Sequence, residues 1–128
     1  MIPPLKYFNK PILELFSDRK VWTKGSLTEN LVKKLELTKK DLLEYTKGGS
    51  ITKFSDRISW ALVYLKKAGM IESKGAGMYV ITKTGLNLLN KTQNFEYIDN
   101  NILSYYSKDF DKFQNSWRKK SYKGVRKK

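Results

Sequence analysis

Residues 52–82 read TKFSDRISWALVYLKKAGMIESKGAGMYVIT, and the organisation of the chain follows from them. The first half predicts a helix from about Thr52 to Ala68, because its apolar residues recur at spacings of 4, 3, 4 and 3 and so share one face. These residues are Phe54, Ile58, Ala61, Leu65 and Ala68. Gly69 is a natural stop for this helix. Residues 70–72 and 78–81 are typical of two short strands, and the glycine-bearing stretch between them predicts a β-hairpin.

Shorter elements are predicted before this helix. Apolar residues at helical spacing indicate a helix over residues 5–15, which Pro11 should kink or restart. Residues 21–23 predict a short strand. Ser26–Glu29 has the form of a capping box, which would begin the next helix. A weaker cap at Thr38 predicts a short helix through Tyr45, and Lys47–Ser50 predicts a loop.

The predicted order is helix, short strand, helix, helix, hairpin, helix, with Thr82 or Thr84 capping the last helix. This is the order of a winged helix-turn-helix, in which the strand at 21–23 is expected to pair with the second strand of the hairpin. The predicted fold class is therefore mainly α with a small β-hairpin (α+β). In such domains the helix before the hairpin enters the DNA major groove, and the hairpin is the wing.

The composition is strongly basic. The 128 residues include 26 Lys and Arg against 12 Asp and Glu, a net charge of +14, which favours a polyanionic partner. The chain has no Cys and no His, so disulfides, zinc fingers and Cys or His catalysis are excluded, and neither a metal nor a cofactor is expected. No apolar run approaches the ~20 residues of a membrane span, and no signal peptide is recognisable. A cytoplasmic, nucleoid-associated protein without a membrane partner is expected.

The net charge is +9 over residues 1–94, −2 over 95–116 and +7 over 117–128, which suggests a basic body, a near-neutral connector and a basic tail. The predicted division is a winged-helix DNA-binding domain at residues 1–92 and a connector with the basic tail at residues 93–128. Within the connector, residues 101–117 carry an aromatic stripe at helical spacing, which predicts one amphipathic helix. This helix would dock back on the domain, form a homodimer or contact a nuclease domain. Residues 117–128, WRKKSYKGVRKK, are either a basic arm that follows DNA or a linker.

The long helix and hairpin resemble the amino-terminal domain of Mrr-type restriction endonucleases. In that family an Asn/Asp-Arg-x-x-Trp-Ala segment leads into Tyr-Leu-Lys-Lys-Ala-Gly-Leu and a wing, and Asp56–Met70 of this chain is similar. Gly77–Gly85 resembles the family's continuation, Gly-x-aromatic-x-Ile/Leu-Thr-x-x-Gly. The resemblance covers about residues 2–91. Family members usually continue into a nuclease domain, and residues 1–128 show no resemblance to one. The resemblance therefore implies recognition without cleavage in this chain.

Candidate DNA-binding residues lie at the amino-terminal end of the long helix, in the wing and in the loop before the helix. They are Thr52, Lys53, Ser55, Asp56, Arg57, Ser59, Lys74, Gly75 and Lys47. At a helix end that meets base edges, Arg57 could bracket a guanine and hydroxyls could bond phosphate or base. Structural alternatives remain open: Arg57 could pair with Asp56 or another acid, and the wing could be an ordinary tight turn. Trp60 is expected to pack in the core.

The sequence thus predicts a double-stranded DNA-binding, target-recognition domain of a restriction or defence endonuclease of the Mrr type. No catalytic centre is expected. Asp56 followed by Glu72-Ser73-Lys74 formally fits an acid…Glu-x-Lys nuclease pattern, but acids on a helix and a hairpin are not expected to converge on one metal ion. Two alternatives remain: a stand-alone transcriptional regulator, which would need a dimer, and a winged helix that binds a protein.

Overall fold

The computed structural model describes residues 1–116, and the predicted basic tail at 117–128 lies outside them. In the described part, a 3-10 turn at Leu5–Tyr7 precedes the helices and strands. In chain order these are α1 (Asn9–Phe16), β1 (Trp22–Thr23), α2 (Lys24–Lys34), α3 (Lys39–Leu42), α4 (Lys53–Lys67), β2 (Ile71–Gly75), β3 (Met78–Ile81), α5 (Lys83–Lys91), α6 (Asn100–Tyr106) and α7 (108–116). The predicted α+β, winged-helix-like class is confirmed.

The long predicted helix is confirmed as α4, and local chemistry sets both its ends. Thr52 is its N-cap, with a hydroxyl that accepts a hydrogen bond from the Ser55 N–H at 3.2 Å. After the C-cap, Gly69 takes a positive φ of 76°, which a glycine adopts without strain. Pro11 acts as predicted: the chain restarts as α1 at Asn9, so the proline lies in a first turn, where its missing N–H costs no hydrogen bond.

The sheet has the strand order β1-β3-β2, with both pairings antiparallel. The predicted pairing of the first strand with the second hairpin strand is confirmed, with Trp22 opposite Tyr79. The hairpin turn is shorter than predicted, because β2 continues to Gly75 through an irregularity in register after Ser73. The wing therefore protrudes as a paired ribbon with only two residues at its tip.

A close contact joins the hairpin to α5. A Cβ atom added at Gly85 would lie 2.1 Å from the carbonyl oxygen of Met70, so only glycine fits there. Thr82 caps the same helix by accepting from the Gly85 N–H at 3.0 Å, and its hydroxyl donates to the Gly69 carbonyl at 2.6 Å. These contacts explain physically why a Thr-x-x-Gly segment follows the second strand.

Two predicted helix boundaries are wrong. α2 begins at Lys24 rather than after a cap at Ser26, because Thr23 at the end of β1 is already extended and accepts from the Ser26 N–H at 3.1 Å. α3 is a single turn with a complete capping box between Thr38 and Asp41. It does not reach Tyr45, whose backbone is paired with the N-cap residue of α4 in an antiparallel bridge.

The predicted single helix at 101–117 is also wrong. The chain breaks at Ser107, which has extended backbone and accepts the Phe110 N–H on its hydroxyl at 3.2 Å, so it caps a separate helix. Ile98, Leu103 and Phe110 are fully buried in the same core as α1, α2 and α4. The apolar side of α6 and α7 therefore packs back on residues 1–92. None of the helices described is long and apolar enough to cross a membrane.

Candidate nucleic-acid interface

The amino-terminal end of α4 combines helix capping with exposed polar groups. The Thr52 hydroxyl is occupied by the cap, and Lys53 Nζ lies 3.8 Å from a carboxylate oxygen of Glu44. Ser55 and Asp56 follow in the first turn, both only partly buried. An acid in the first turn is favourable because the helix N-terminus carries partial positive charge. The predicted residues of this end are therefore accessible, but Thr52 has a structural role as well.

Arg57 points away from its neighbour Asp56, and neither interpretation of the sequence anticipated its partners. Its Nη1 donates to the carbonyl oxygens of Ile2 at 3.1 Å and Pro3 at 3.0 Å. Ile2 is buried in the core, so these bonds fasten the first residues of the chain across α4. No local sequence pattern could have revealed a partner more than fifty residues away. A contact between Arg57 and DNA stays a prediction.

The prediction that Trp60 lies in the core is wrong, because its side chain is 42% exposed. Its ring contacts Tyr64 at a centroid distance of 5.7 Å, and Tyr64 in turn packs edge-on against Phe110 of α7 at 5.9 Å. Further along, the Lys67 ammonium lies 5.5 Å from the Phe113 ring centroid. α7 thus covers the carboxyl-terminal half of this side of α4, and Trp60 stands at the edge of the covered area.

Lys24 connects the wing to α4, and sequence reasoning missed it. Its ammonium donates to the Ser59 hydroxyl at 2.8 Å, and its backbone N–H donates to the Gly77 carbonyl at 2.8 Å. The available signal was its position directly after β1, the strand that pairs with the wing. The amino-terminal half of α4, Lys24 and the β2–β3 turn therefore form one continuous surface, called here the α4–wing surface.

The wing itself presents a weakly held cation. Lys74 Nζ lies 3.0 Å from the carboxylate of Glu72, and both side chains are about half exposed. Such an exposed pair contributes about 0–1 kcal/mol, so Lys74 can exchange its partner at little cost. Next to it, the Ser73 hydroxyl donates to the Gly75 carbonyl at 3.0 Å, and Gly75 has a φ of 140° that requires glycine.

The acids of the formal nuclease pattern are separated by secondary structure. Asp56 lies on α4 and Glu72 on β2, where it is paired with Lys74. Between residues 1 and 116, no group of three or more His, Cys, Asp or Glu side chains is clustered closely enough to hold a metal ion.

Lys47 is exposed in the loop of a small hairpin that leads directly into α4. The Thr46 N–H donates to the Ile51 carbonyl at 2.9 Å, and the Lys53 N–H donates to the Glu44 carbonyl at 2.8 Å. The predicted loop at 47–50 is thus confirmed and is held close to the amino-terminal end of α4.

The amino group of Met1 anchors the start of the chain beside this hairpin. It is hydrogen-bonded to the Asp41 carboxylate and lies 3.5 Å from Glu44. The Met1 ammonium, followed by the Thr38 N–H, lowers the pKa of Asp41 to about 2, and the bond to Asp41 raises the pKa of the Met1 amino group. Asp41 and Glu44, the two acids that precede α4, are therefore both paired with cations of the same domain.

A family model described as the Mrr N-terminal domain matches residues 6–91, two thirds of the chain. No curated protein and no solved structure matches.

Proposed function

Because this chain belongs to the Mrr N-terminal domain family, we propose that it is the part of an Mrr-type restriction system that binds double-stranded DNA and recognises the target. The family model describes an amino-terminal domain and not a catalytic nuclease domain. The proposal therefore assigns target recognition to this chain and cleavage to another domain or protein.

The observation that carries the proposal is the Lys24 bridge between the wing and α4. A winged helix reads DNA by placing one helix in the major groove while the wing contacts the backbone, so the two elements must be held at a constant spacing. The bonds from Lys24 to Ser59 and to Gly77 provide that connection. They also place an ammonium group between the two elements, where a phosphate would approach.

The charge of the α4–wing surface fits a polyanion. Lys24 bonds to a neutral hydroxyl, Lys53 lies 3.8 Å from its carboxylate partner, and the pair of Lys74 is exposed to solvent. Lys47 extends the positive charge beyond the start of α4. Each lysine that neutralises a phosphate releases counterions, so binding should weaken steeply with salt.

Base contacts are assigned to the polar residues on the amino-terminal turns of α4. Ser55, Asp56 and Ser59 are short side chains suited to bonding with base edges in the major groove. Arg57 has already committed Nη1 to two carbonyl groups, so we assign it first to stability. A contact with guanine would use the N–H donors on its Nε and Nη2.

The test is fluorescence anisotropy with randomised double-stranded DNA, titrated with salt, with and without methylated cytosine or adenine. The variant is Lys24→Ala with Lys74→Ala. The matched control, Lys108→Ala with Lys112→Ala, removes the same charge from exposed positions of α7. We expect salt-dependent binding in the wild type and control, and a slope of log affinity against log salt that is lower by about 0.9 per phosphate-contacting lysine in the variant.

Binding that ignores salt, or no binding to duplex DNA at low salt, would contradict the proposal and favour a winged helix that binds a protein. A preference between the methylated and unmethylated pools would identify the feature that is read. Equal losses in the variant and the control would show attraction by net charge alone and would contradict the α4–wing assignment.

A further inference from the structure

Residues 38–52, the larger part of the segment between α2 and α4, have an organised structure of their own and are called here the 38–52 arm. It consists of α3 and the small hairpin that ends at the N-cap of α4. Besides the two hydrogen bonds at the base of this hairpin, the Gly49 N–H donates to the Thr46 carbonyl at 2.8 Å, and Tyr45 pairs with Thr52. The arm is therefore held in a defined position relative to α4.

Both acids of the arm are engaged with the body of the domain. Asp41 is only slightly exposed and bonds to the Met1 amino group and to the Thr38 N–H at 2.8 Å. Glu44 is contacted by the Met1 amino group and by Lys53. The remaining charged residues of the arm are all exposed and all positive: Lys39, Lys40 and Lys47.

The arm also presents apolar side chains to solvent. Leu43 is 69% exposed, Tyr45 is 51% exposed and Ile51 is 37% exposed. All three lie within ten residues of the start of α4, beside the exposed lysines. Apolar groups that stay exposed in the folded domain are available to a partner without any change in the core. Since lysine is depleted in protein–protein interfaces, apolar groups flanked by lysines are better suited to a nucleic acid than to a protein.

We propose that the 38–52 arm is a second DNA-contacting element, which contacts duplex DNA beyond the amino-terminal end of α4, in addition to the wing. Lys39 and Lys40 neutralise phosphates, and Tyr45 packs its ring against the sugar or base edges of the adjacent groove. The inference rests on the proposed function and extends it, because it predicts a longer DNA footprint than a recognition helix and wing alone would make. The charge of the arm and its direct continuity with the N-cap of α4 support duplex DNA as the occupant.

The experiment measures binding of the full chain to labelled duplex DNA as a function of salt, together with hydroxyl-radical footprinting. The charge variant is Lys39→Ala with Lys40→Ala, and its matched control is again Lys108→Ala with Lys112→Ala. The ring variants are Tyr45→Ser and Tyr45→Phe. Their matched control is Tyr105→Ser, since Tyr105 is 82% exposed on α6. Thermal melts establish that every variant is folded.

The charge variant should lower the salt slope by about 0.9 for each phosphate that is no longer neutralised. Tyr45→Ser should weaken binding roughly fivefold at unchanged slope, because it removes the apolar area that the ring buries against the DNA. Tyr45→Phe keeps that ring and should bind like the wild type. Both the charge variant and Tyr45→Ser should remove footprint protection on one flank only.

If the wild type fails to bind duplex DNA, the proposed function itself is wrong. If it binds, and the arm variants behave like their controls, only the inference about the arm is overturned. A further result would also overturn it. If backbone hydrogen exchange of residues 38–52 becomes slower as the protein concentration is raised without DNA, a second copy of the chain covers the arm.

Discussion

The Lys24 ammonium donates a hydrogen bond to the Ser59 hydroxyl at 2.8 Å, joining the first residue of α2 to α4. The backbone N–H of Lys24 is also bonded to Gly77 of the wing. Lys24 therefore links α2, α4 and the wing. Under the proposed function, this ammonium contacts a DNA phosphate.

Replacing Lys24 by Met should therefore reduce DNA binding, while the backbone bond to Gly77 still joins α2 to the wing. Methionine keeps the apolar stem but removes the charge and the donor, so we expect weaker duplex binding and a salt slope lower by about 0.9. Anisotropy titrations at several salt concentrations measure both. Lys33→Met, at the exposed far end of α2, is the control, and an equal change in both variants would argue against a local contact.

Arg57→Ala should destabilise the domain. It leaves the carbonyl groups of Ile2 and Pro3 without their charged donor, and hydrogen bonds to charged groups contribute about 1.5–3 kcal/mol each, less where water can replace them. We expect a free energy of unfolding lower by about 1–3 kcal/mol in urea. Arg57→Lys should recover part of it. An unchanged free energy of unfolding together with lost DNA binding would show instead that Arg57 acts on the DNA.

Phe110→Ala should lower the free energy of unfolding of the whole domain, because α6 and α7 belong to the same folded unit as residues 1–92. Phe110 is fully buried and packs against Tyr64, and removing a buried phenylalanine costs about 3–5 kcal/mol. Denaturant unfolding measures the loss. Tyr105→Ala, on an exposed side chain of α6, should stay within about 0.5 kcal/mol of the wild type. For the same reason, a chain cut after residue 91 should fail to unfold cooperatively, and a cooperative transition would contradict this view.

Gly85→Ala should be destabilising although alanine favours helices. The added Cβ would approach the Met70 carbonyl oxygen to 2.1 Å, and because that group is backbone, α5 would have to move away from the hairpin. Overpacking of this kind costs about 1–3 kcal/mol. Gly25→Ala is the matched control in α2, where an added Cβ meets nothing within 4 Å. Equal melting temperatures for the two variants would contradict the prediction.

The pair between Met1 and Asp41 should make stability depend on pH at both ends of the range. The pKa of Asp41 is about 2 in the folded chain against 3.8 ordinarily, so its contribution is present above 3.8 and is lost as the pH falls toward 2. The pKa of the Met1 amino group is raised above 8.0, so its contribution is present below 8.0 and is lost as the pH rises through the raised value.

Acetylation of the Met1 amino group isolates this effect. Melting temperatures of the acetylated and free chains should differ most between about pH 4 and 8 and converge at alkaline pH, where the free amine loses its proton. A difference that persists unchanged at alkaline pH, where the free amine is neutral, would mean that the charge of the amino group does not contribute.

The element order could be predicted because it depends on local chemistry. The apolar spacing of residues 54–68, the cap at Thr52 and the stop at Gly69 all act within a few residues, and α4 begins and ends where they indicate. Local signals also misled where two of them competed. Thr23, and not Ser26, is the N-cap of α2, so the helix begins earlier than the capping-box pattern indicates. The aromatic residues of 101–117 keep helical spacing across Ser107, where the helix breaks.

The sequence by itself determined the positive charge, the apolar face of α4 and the positions of the turns, because each is a property of composition or of neighbouring residues. Tertiary structure alone decided where the polar side chains point. Arg57 donates to the carbonyl groups of Ile2 and Pro3, and Lys24 donates to Ser59. α7 packs on Tyr64, while Trp60 remains about half exposed. These partners are distant in the sequence, and which of them meet depends on how helices pack around one core, which no local period or cap encodes.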